Sequence, residues 1–550
     1  MIRNIYISIV LCLGALGLTG LCVVGGCALE PEKVKSEADE DVYGIVDKKW
    51  DEKFGIRTNY RISDTEASAN ALRVEKAVPK SGTLNIAEAV ALATAHNRPY
   101  QTEKEAIYLK ALDLRLIRHS YEPNLFALGS IDAIRDGEDG AIGGEAAFGF
   151  QQLLATGGMI STQVALGWID ILSGDVRSGM TSILTAAVRV PLLRGSGRAI
   201  ALEQLTQAER DTLYQIRIFN RFRKTFVVDV ISQYYRLLEL YNIMENAEAN
   251  YRVLGTFYER MAPLNEAGKL PRHELQQAHQ DRLLALDLYV QARNEYEKAL
   301  DLFKITLGLP TATAMALDTA ELTALVAHGV PTVNFNEEDA ISTALRTRLD
   351  LANVADMVID TERKVTVAED GLRAQLDLIG VARPNFSDQM HFGAGSGQLR
   401  DAEDRYMLSA KLDLPLDRMA EKTAYRKALI ALIQQRRAHE EATDQVVLAV
   451  RQAYRKLKEA RERYLVQSHA TTLAQQRVDN TFLLLQYSSA QNRRASVRDV
   501  LDAQKDLFRA QNDATDALVD YNIALLEFYR DAGVLQVKPD GMWQTVAAAE

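Results

Sequence analysis

Two long stretches of the chain carry apolar side chains at every third or fourth position. The first stretch runs from Arg198 to Met261 and the second follows Pro415. The seam residues are Val227, Val230, Tyr234, Leu237, Tyr241 and Met244 in the first stretch, and Val446, Val450, Ala453, Leu457, Ala460 and Tyr464 in the second. This spacing predicts two long helices that pack in a coiled-coil manner, each followed by a tip and a return helix.

A different period appears between the helical stretches. Four candidate strands cover 125–134, 146–154, 159–168 and 181–190, and Gly157-Gly158 predicts a tight turn between the second and the third. In the third candidate strand, Ser161 and Gln163 alternate with apolar neighbours such as Ile160 and Val164. Such alternation is typical of a wall with lipid on one face and water on the other.

The order of these patterns occurs twice along the chain. A helix over 84–120, reset at Pro99, precedes the first β region, and a similar segment over 335–374 precedes a shorter β region at 375–417. Pro191 and Pro415 each close a strand before a long helix. We therefore expect a first repeat at 84–310 (β region 125–190), a linker at 311–334, a second repeat at 335–534 and a tail at 535–550.

Composition narrows the class of protein. The chain of 550 residues is 47% hydrophobic and 25% charged, which argues against both a disordered chain and a bundle of membrane helices. No glycine or proline lies between Pro415 and Gly533, as expected for long helices. The formal net charge of -10 gives no electrostatic footprint for nucleic acid, so we expect no nucleic-acid partner.

All three cysteines lie near the start of the chain. Arg3 and the apolar run Ile5–Val24 have the form of a secretory signal, although the run is also long enough for an uncleaved membrane helix. Val24-Gly25-Gly26-Cys27 resembles a bacterial lipobox. We therefore expect a signal peptide at 1–26, lipidation of Cys27, and a lipid-anchored charged tether at 27–83 with an aromatic contact segment around 42–60.

Several motifs together resemble the outer membrane efflux protein (TolC-like) family, lipoprotein type. They are Leu84-Asn85-Ile86-Ala87-Glu88-Ala89, Asn97-Arg98-Pro99, Val190-Pro191-Leu192-Leu193-Arg194-Gly195 and Asp499-Val500-Leu501-Asp502-Ala503-Gln504. The resemblance implies a mainly α fold with a smaller β part, and a homotrimer that closes a β-barrel in outer membrane lipid and a long α-helical barrel in the periplasm. Family members have four strands per protomer, whereas the first half here predicts one additional hairpin, whose place in the wall the sequence leaves open.

The resemblance also points to residues at the periplasmic end. It implies a gate formed by Asp499 and Asp502, with Glu274 in the closing network, although an aspartate at a helix start is commonly just a cap. It further implies adaptor-docking tips, formed by Gly268, Lys269, Leu270, Arg493 and Arg494, whereas charges at a hairpin tip are usually only solvated.

The function expected from these observations is passive. The family resemblance implies an outer-membrane export duct that works with a periplasmic adaptor protein and an inner-membrane pump, in either efflux or type I secretion. We expect no enzyme activity, no cofactor and no metal site, since His273, Glu274 and His279 do not have metalloprotease spacing. The alternative is a lipid-anchored periplasmic coiled-coil scaffold without a pore.

Overall fold

The computed structural model describes most of the chain. The described residues are 30–57, 60–62, 82–136, 139–171, 177–332, 336–383, 405–414, 416–486, 495–538 and 543–545. Within these ranges the fold is mainly α with a smaller β part, as the sequence predicts. The signal peptide, Cys27, Arg493 and Arg494 lie outside the described residues.

The expected tether contains a docked helix. Helix α1 spans Pro31–Lys49 and is followed by a short 3-10 turn at Glu52–Phe54. Val42, Ile45 and Val46 recur at helical spacing and are buried in the main core of the protein. Two acidic residues of the same helix are also paired: Tyr108 donates a hydrogen bond to Asp39 at 2.6 Å, and Arg115 pairs with Asp41 at 2.8 Å. The buried residues Val42, Ile45, Val46, Phe54 and Tyr60 fall within the contact segment that the sequence predicts around 42–60.

Two helices lead into the first β region. Strand β1 at Thr83–Leu84 precedes helices α2 (Ile86–His96) and α3 (Arg98–His119). Asn85 caps α2 in a capping box with Glu88. The helix breaks at Asn97, which caps α3, with Pro99 in the first turn.

Four strands and two long helices complete the first half. The strands are β2 (Asn124–Asp136), β3 (Asp139–Leu153), β4 (Met159–Ile171) and β5 (Arg177–Pro191). A short helix α4 (Arg198–Ala201) precedes α5 (Glu203–Glu266) and the return helix α6 (Arg272–Thr306). With 64 residues, α5 is about 96 Å long at 1.5 Å per residue.

The expected linker is structured over much of its length. Strand β6 (Ala316–Leu317) pairs in parallel with β1, and helix α7 spans Ala320–His328. Leu317 is buried in the main core, and Leu322 and Leu325 of α7 pack against it. The segment therefore contributes apolar contacts rather than acting as a free connection.

The second half begins with two helices and a hairpin. These elements are α8 (Glu337–Thr347), α9 (Leu349–Asp370), β7 (Gln375–Arg383) and β8 (Arg405–Asp413). They are followed by the long helix α10 (Met419–Gln486) and the return helix α11 (Val497–Asp531). The expected tail also contributes to the core, because Leu535 and Val537 of strand β9 (Leu535–Val537) are buried and this strand pairs with β10 (Trp543–Thr545).

The described strands of the two halves form one antiparallel sheet of six, in the order β2-β3-β4-β5-β7-β8. Strand β5 joins the halves by pairing with β7, from Ala186 opposite Ala382 to Pro191 opposite Asp377. The hairpin that the sequence leaves unplaced is therefore part of this sheet. The sheet is open within one copy of the chain.

The long helices form a layer below the sheet. Helix α6 packs on α5, α5 on α11, and α11 on α10, while α3 packs on α5 and α9 contacts both α5 and α10. The seam residues from Val227 to Leu237 and from Val446 to Ala460 are buried in this layer. Apolar cores lie at mid-length, where α1 to α3 and β9 meet α5, and at the tip of the long helices.

Candidate functional site

One face of the six-stranded sheet is apolar. Residues directly opposite one another in the register share a face, and one such row crosses all six strands. Its members are Leu125, Phe150, Thr162, Ala186, Ala382 and Tyr406. Parallel rows add Phe148, Val164 and Leu184, and Ile160, Val188 and Leu408. Several of these side chains are largely exposed in one copy, including Leu408 at 77%.

The opposite face carries the charge. Over the strand residues whose side chains are described, every charged residue falls on this second face of the register. They are Asp132, Glu145, Arg189, Asp377, Arg383, Arg405, Lys411 and Asp413. At the helix end of this face, Arg189 donates to the buried Asp377 at 2.5 Å and 3.1 Å, and Gln375 donates to it at 2.9 Å. This separation of apolar and charged faces is the pattern of a sheet between lipid and water.

The sheet has two unpaired edges. Among the described strands, β2 and β8 each pair on one side only. Both carry exposed apolar side chains, such as Leu125 at 84% on β2 and Tyr406 at 73% on β8. An open edge leaves backbone N–H and C=O groups unsatisfied in lipid, so such a sheet requires closure by pairing with another strand.

A tight turn anchors the hairpin of β3 and β4 at the helix end of the sheet. Gly157 has φ +89°, and a Cβ at this position would lie 2.4 Å from the carbonyl oxygen of Gly195. The N–H of Gly197 donates to the carbonyl oxygen of Thr156 at 3.2 Å. Glycine is thus required here by both the backbone conformation and the space, and the turn rests on the junction between β5 and α5.

The far ends of the long helices meet in one apolar cluster, hereafter the tip cluster. It contains the buried residues Leu254, Phe257, Leu270, Ala278, Ala285, Val497, Val500 and Leu501. Phe482 of α10 packs against it, so four helices and one tip loop contribute to it. The cluster brings the start of α6, which carries Glu274, to the same end of the molecule as the start of α11, which carries Asp499 and Asp502.

Asp499 is held as part of a helix cap. Its carboxylate accepts hydrogen bonds from the Ser496 N–H at 2.8 Å and from the Ser496 hydroxyl at 2.7 Å. In return, the Asp499 N–H donates to Ser496 Oγ at 3.3 Å, which completes a capping box. The hydrogen bonds from Ser496 lower the pKa of Asp499, so the carboxylate stays charged.

Asp502 lies one turn further along α11. Its Oδ2 is 3.7 Å from the Nε of Arg498, and both side chains are largely exposed. Asp281 of α6 also faces this region: burial raises the pKa of its carboxyl, Asp502 raises it further, and Lys505 opposes the rise. The family resemblance pointed to Asp499, Asp502 and Glu274, but it missed Asp281, which lies near Asp502 because α6 packs beside α11.

The predicted docking residues differ in exposure. Gly268 and Lys269 are exposed, and Gly268 has φ +69°, as the turn between the two helices requires. Leu270 is only 9% exposed because it belongs to the tip cluster, and Glu274 is buried at 7% in the first turn of α6. Of the predicted docking residues at this tip, Gly268 and Lys269 are therefore the accessible ones within one copy.

An ion-pair network ties three long helices together midway along the layer. Arg236 of α5 bonds to Glu239 at 2.7 Å, to Asp516 of α11 at 2.9 Å and to Asp520 of α11. Arg463 of α10 bonds to Asp516 and Asp520, each at 2.6 Å. The paired residues of the three helices are far apart in the chain, so the sequence does not predict the network. It predicts only the apolar seam positions beside it.

The outer helices of the layer carry apolar side chains that one copy leaves exposed. On α6 they are Leu283, Leu284, Leu286, Leu288 and Val290, and on α10 they include Ile433, Leu465, Val466 and Leu473. Within the described ranges, none of the helices combines the length and apolar character needed to cross a lipid bilayer. The same part of the chain contains no group of three or more His, Cys, Asp or Glu side chains placed to bind a metal ion.

Comparison with known proteins identifies the fold through structure rather than sequence. No family model matches the chain, and no curated protein matches it. The structure is similar to the open state of the MtrE outer membrane channel of Neisseria gonorrhoeae, with a TM-score of 0.58 and 13% identity over 82% of this chain and 88% of that chain. It is also similar to the outer-membrane channel OprN, with a TM-score of 0.57 and 13% identity over 86% and 98%.

A third similar structure is the outer membrane protein VceC of Vibrio cholerae, with a TM-score of 0.55 and 12% identity over 82% of this chain and 96% of that chain. These structures match nearly whole chains, so the likeness extends over both the sheet and the long helices. The chain therefore has the fold of the TolC-like outer-membrane efflux channels.

Proposed function

We propose that the protein is the outer-membrane channel component of a tripartite efflux or type I secretion system. In this role it is a passive export duct and not an enzyme. The observation that carries the proposal is the sheet, in which the charged residues with described side chains fall on one face and apolar side chains predominate on the other. The fold shared with outer-membrane channels supports the same conclusion.

The duct is proposed to form by trimerisation. Three copies pair β8 of one copy with β2 of the next, which closes a barrel and satisfies the edge groups in lipid. The layer of long helices closes in the same way, and the apolar side chains exposed on α6 and α10 are covered by neighbouring copies. The two halves of the chain, with their matching element order, act as duplicates within each copy.

Reconstitution of the full chain into a planar lipid bilayer tests this function. We expect discrete single-channel currents and a trimer that resists heat in detergent. The alternative, a lipid-anchored periplasmic scaffold without a pore, predicts no currents from a protein that still associates through its helices. A stable, water-soluble monomer without affinity for lipid would rule out both the trimer and the duct.

The proposed location is the bacterial outer membrane, with the long helices extending into the periplasm. Lipidation of Cys27 would add an anchor to the one that the barrel provides, since acyl chains contribute about 0.8 kcal/mol per buried methylene. Metabolic labelling with a fatty acid tests this part. We expect label on the natural chain and none on Cys27→Ala, with Cys22→Ala as a control that keeps the label.

The tip is proposed to be both gate and docking site. In a trimer, Asp499 and Asp502 place six carboxylates around the axis, with Glu274 supporting the closed arrangement from α6. Such a ring favours cations. We expect Asp499→Asn and Asp502→Asn to reduce the cation preference of the open channel, whereas Ser496→Ala, which removes a cap but no charge, leaves it unchanged.

A periplasmic adaptor protein is the proposed partner at the tip, and it connects the duct to an inner-membrane pump. Gly268 and Lys269 are the accessible contacts of the first tip, Leu270 shapes that tip from within, and Arg493 and Arg494 are the proposed contacts of the second. Lys269→Glu is expected to weaken adaptor binding without changing trimer stability. Equal adaptor affinity for Lys269→Glu and the natural chain would remove this tip from the interface.

A further inference from the structure

We propose that all six strands of each copy belong to the barrel wall, so that the trimer closes an eighteen-stranded barrel. This inference rests on the proposed function, since it assumes a trimeric channel. It concerns the hairpin of β3 and β4, which gives the sheet six strands where the family resemblance implies four per protomer.

The hairpin is continuous with the rest of the sheet. Strand β3 pairs with β2 from Asn124 opposite Gln151 to Asp136 opposite Asp139, and with β4 from Ala141 opposite Ile171 to Leu153 opposite Met159. Strand β4 pairs with β5 over the same length. A hairpin folded over the surface would lack one of these two flanking ladders, so the pairing places β3 and β4 inside the sheet.

The hairpin also has the two faces of a membrane wall. Phe148 and Phe150 of β3 share the apolar face with Val164 and Leu166 of β4. Their neighbours in sequence fall on the other face, which carries Glu145, Gln151, Ser161 and Gln163. A segment packed over a barrel or inside its lumen has no need of this separation, whereas a wall strand requires it.

The directions of the strands allow closure. Successive strands in the sheet are antiparallel, and six is an even number, so β2 and β8 run in opposite directions. Strand β8 of one copy can therefore pair with β2 of the next in the same antiparallel sense. The exposed apolar residues of both edge strands, such as Leu125 and Leu408, then lie on one continuous lipid-facing surface.

At the helix end of the sheet, the hairpin of β3 and β4 closes in a turn and does not connect to a helix. Strands β2, β5, β7 and β8 each connect to a helix, whereas β3 and β4 join through the turn at 154–158. This turn is seated on the junction after β5, through the close approach of Gly157 to Gly195 and the hydrogen bond from Gly197 to Thr156. The hairpin therefore widens the sheet without adding a helix to the layer below.

The dimensions of the two layers agree with this arrangement. At about 4.8 Å between strands and a tilt of about 40°, eighteen strands give a circumference of about 110 Å, against about 75 Å for twelve. The four long helices of each copy, spaced about 8–10 Å apart in a ring, require about 100–120 Å in the trimer. The wider barrel thus matches the helical tube beneath it.

Imaging of the full-length trimer in lipid nanodiscs by electron microscopy counts the strands directly. We expect eighteen, with β3 and β4 between β2 and β5. A trimeric channel with a twelve-stranded wall would overturn this inference and leave the proposed function intact. A chain that stays monomeric in lipid would overturn the proposed function and this inference together.

A deletion provides a second test with the same protein. Removing residues 139–171 joins β2 to β5 through the remaining loop residues, and Leu125 and Ala186, which share the apolar face, can then lie opposite each other. We expect the barrel cross-section to fall about twofold, since it scales with the square of the strand number at constant tilt. The measurement is the largest polyethylene glycol that lowers conductance when added from the barrel side.

An unchanged size limit in the deletion variant would place the hairpin outside the wall and overturn the inference. If the variant does not fold, the strand count of the intact trimer decides alone. A matched variant with Gly157→Ala keeps all strands but strains the anchoring turn. In channels that assemble from this variant, the largest polyethylene glycol that lowers conductance is expected to be the same as in the natural channel.

Discussion

In one copy of the chain, both the sheet and the helical layer expose groups that need a partner. The two regions differ in how much free energy this exposure costs. The open edges of the sheet, β2 and β8, present backbone N–H and C=O groups, and each unsatisfied group costs several kcal/mol in lipid. The outer helices α6 and α10 expose apolar side chains that the proposed assembly places in water, where each exposed leucine costs a smaller amount. In the proposed trimer, closure is therefore strictly required in the sheet and only favoured in the helices.

The largest effect is expected where lipid meets a charged substitution. Leu408 and Ser409 are neighbours at the centre of β8 and lie on opposite faces. We expect Leu408→Arg to reduce trimer stability by about 2–4 kcal/mol, as for a cation at the bilayer midplane, and Ser409→Arg to change it little. The measurement is urea unfolding in lipid vesicles, and equal losses in the two variants would refute the face assignment.

A smaller effect is expected at the helical edge. Leu284 is 53% exposed on α6 within one copy and is expected to be covered by the neighbouring copy. Leu284→Ala should weaken the trimer by about 1.5 kcal/mol, the low end for burial of a leucine side chain. Arg293→Ala is the control on the same helix, because Arg293 is exposed and pairs with the exposed Glu297. A Leu284 variant as stable as this control would mean that α6 stays solvated in the assembly.

The cap at the start of α11 separates local stability from gating. Ser496→Ala is expected to destabilise the first turn of α11 by about 1 kcal/mol, measured by hydrogen exchange of that turn. The lowered pKa of Asp499 means that its contribution is present above the unfolded value near 4 and is lost as the pH falls through the lowered value. Asp502→Asn should leave the exchange rates unchanged. If Asp502→Asn destabilised the first turn of α11 as much as Ser496→Ala does, the cap would not be the source of that stability.

The smallest effect is expected at Asp281. Burial and the neighbouring Asp502 raise its pKa, so the charged form is disfavoured and tip stability falls as the pH rises through that pKa. Asp281→Asn should stabilise the tip by no more than about 0.5 kcal/mol at neutral pH and remove this pH dependence. Lys505→Met is the opposite control and should steepen the dependence, since Lys505 opposes the rise in pKa.

Sequence reasoning succeeded where the signal is local and periodic. The seam from Val227 to Leu237, the helix reset near Pro99 and the alternation in β4 all depend on neighbours within one or two turns, and the structure has helices and strands there. The charge pattern predicts a tether with a contact segment around 42–60, but it does not reveal the pairing of Asp39 and Asp41, because their partners Tyr108 and Arg115 lie far along the chain.

The candidate site was predictable to a similar degree. Asp499 and Asp502 are three residues apart on one helix, so the sequence alone predicts that they lie on the same helix face. The nearness of Asp281, the burial of Leu270 and the membership of β3 and β4 in the sheet depend on how separate elements pack or pair. Strand pairing in particular depends on a register that no single strand encodes.

The turn at 154–158 has a consequence for how such channels can diversify. A hairpin enters and leaves the sheet at the same end, so gaining or losing one preserves the direction of every other strand and every connection to a helix. In the proposed threefold assembly each such event occurs three times, so the bore changes in increments of six strands. Evolution of pore size in this architecture is stepwise, and the helices can remain as they were.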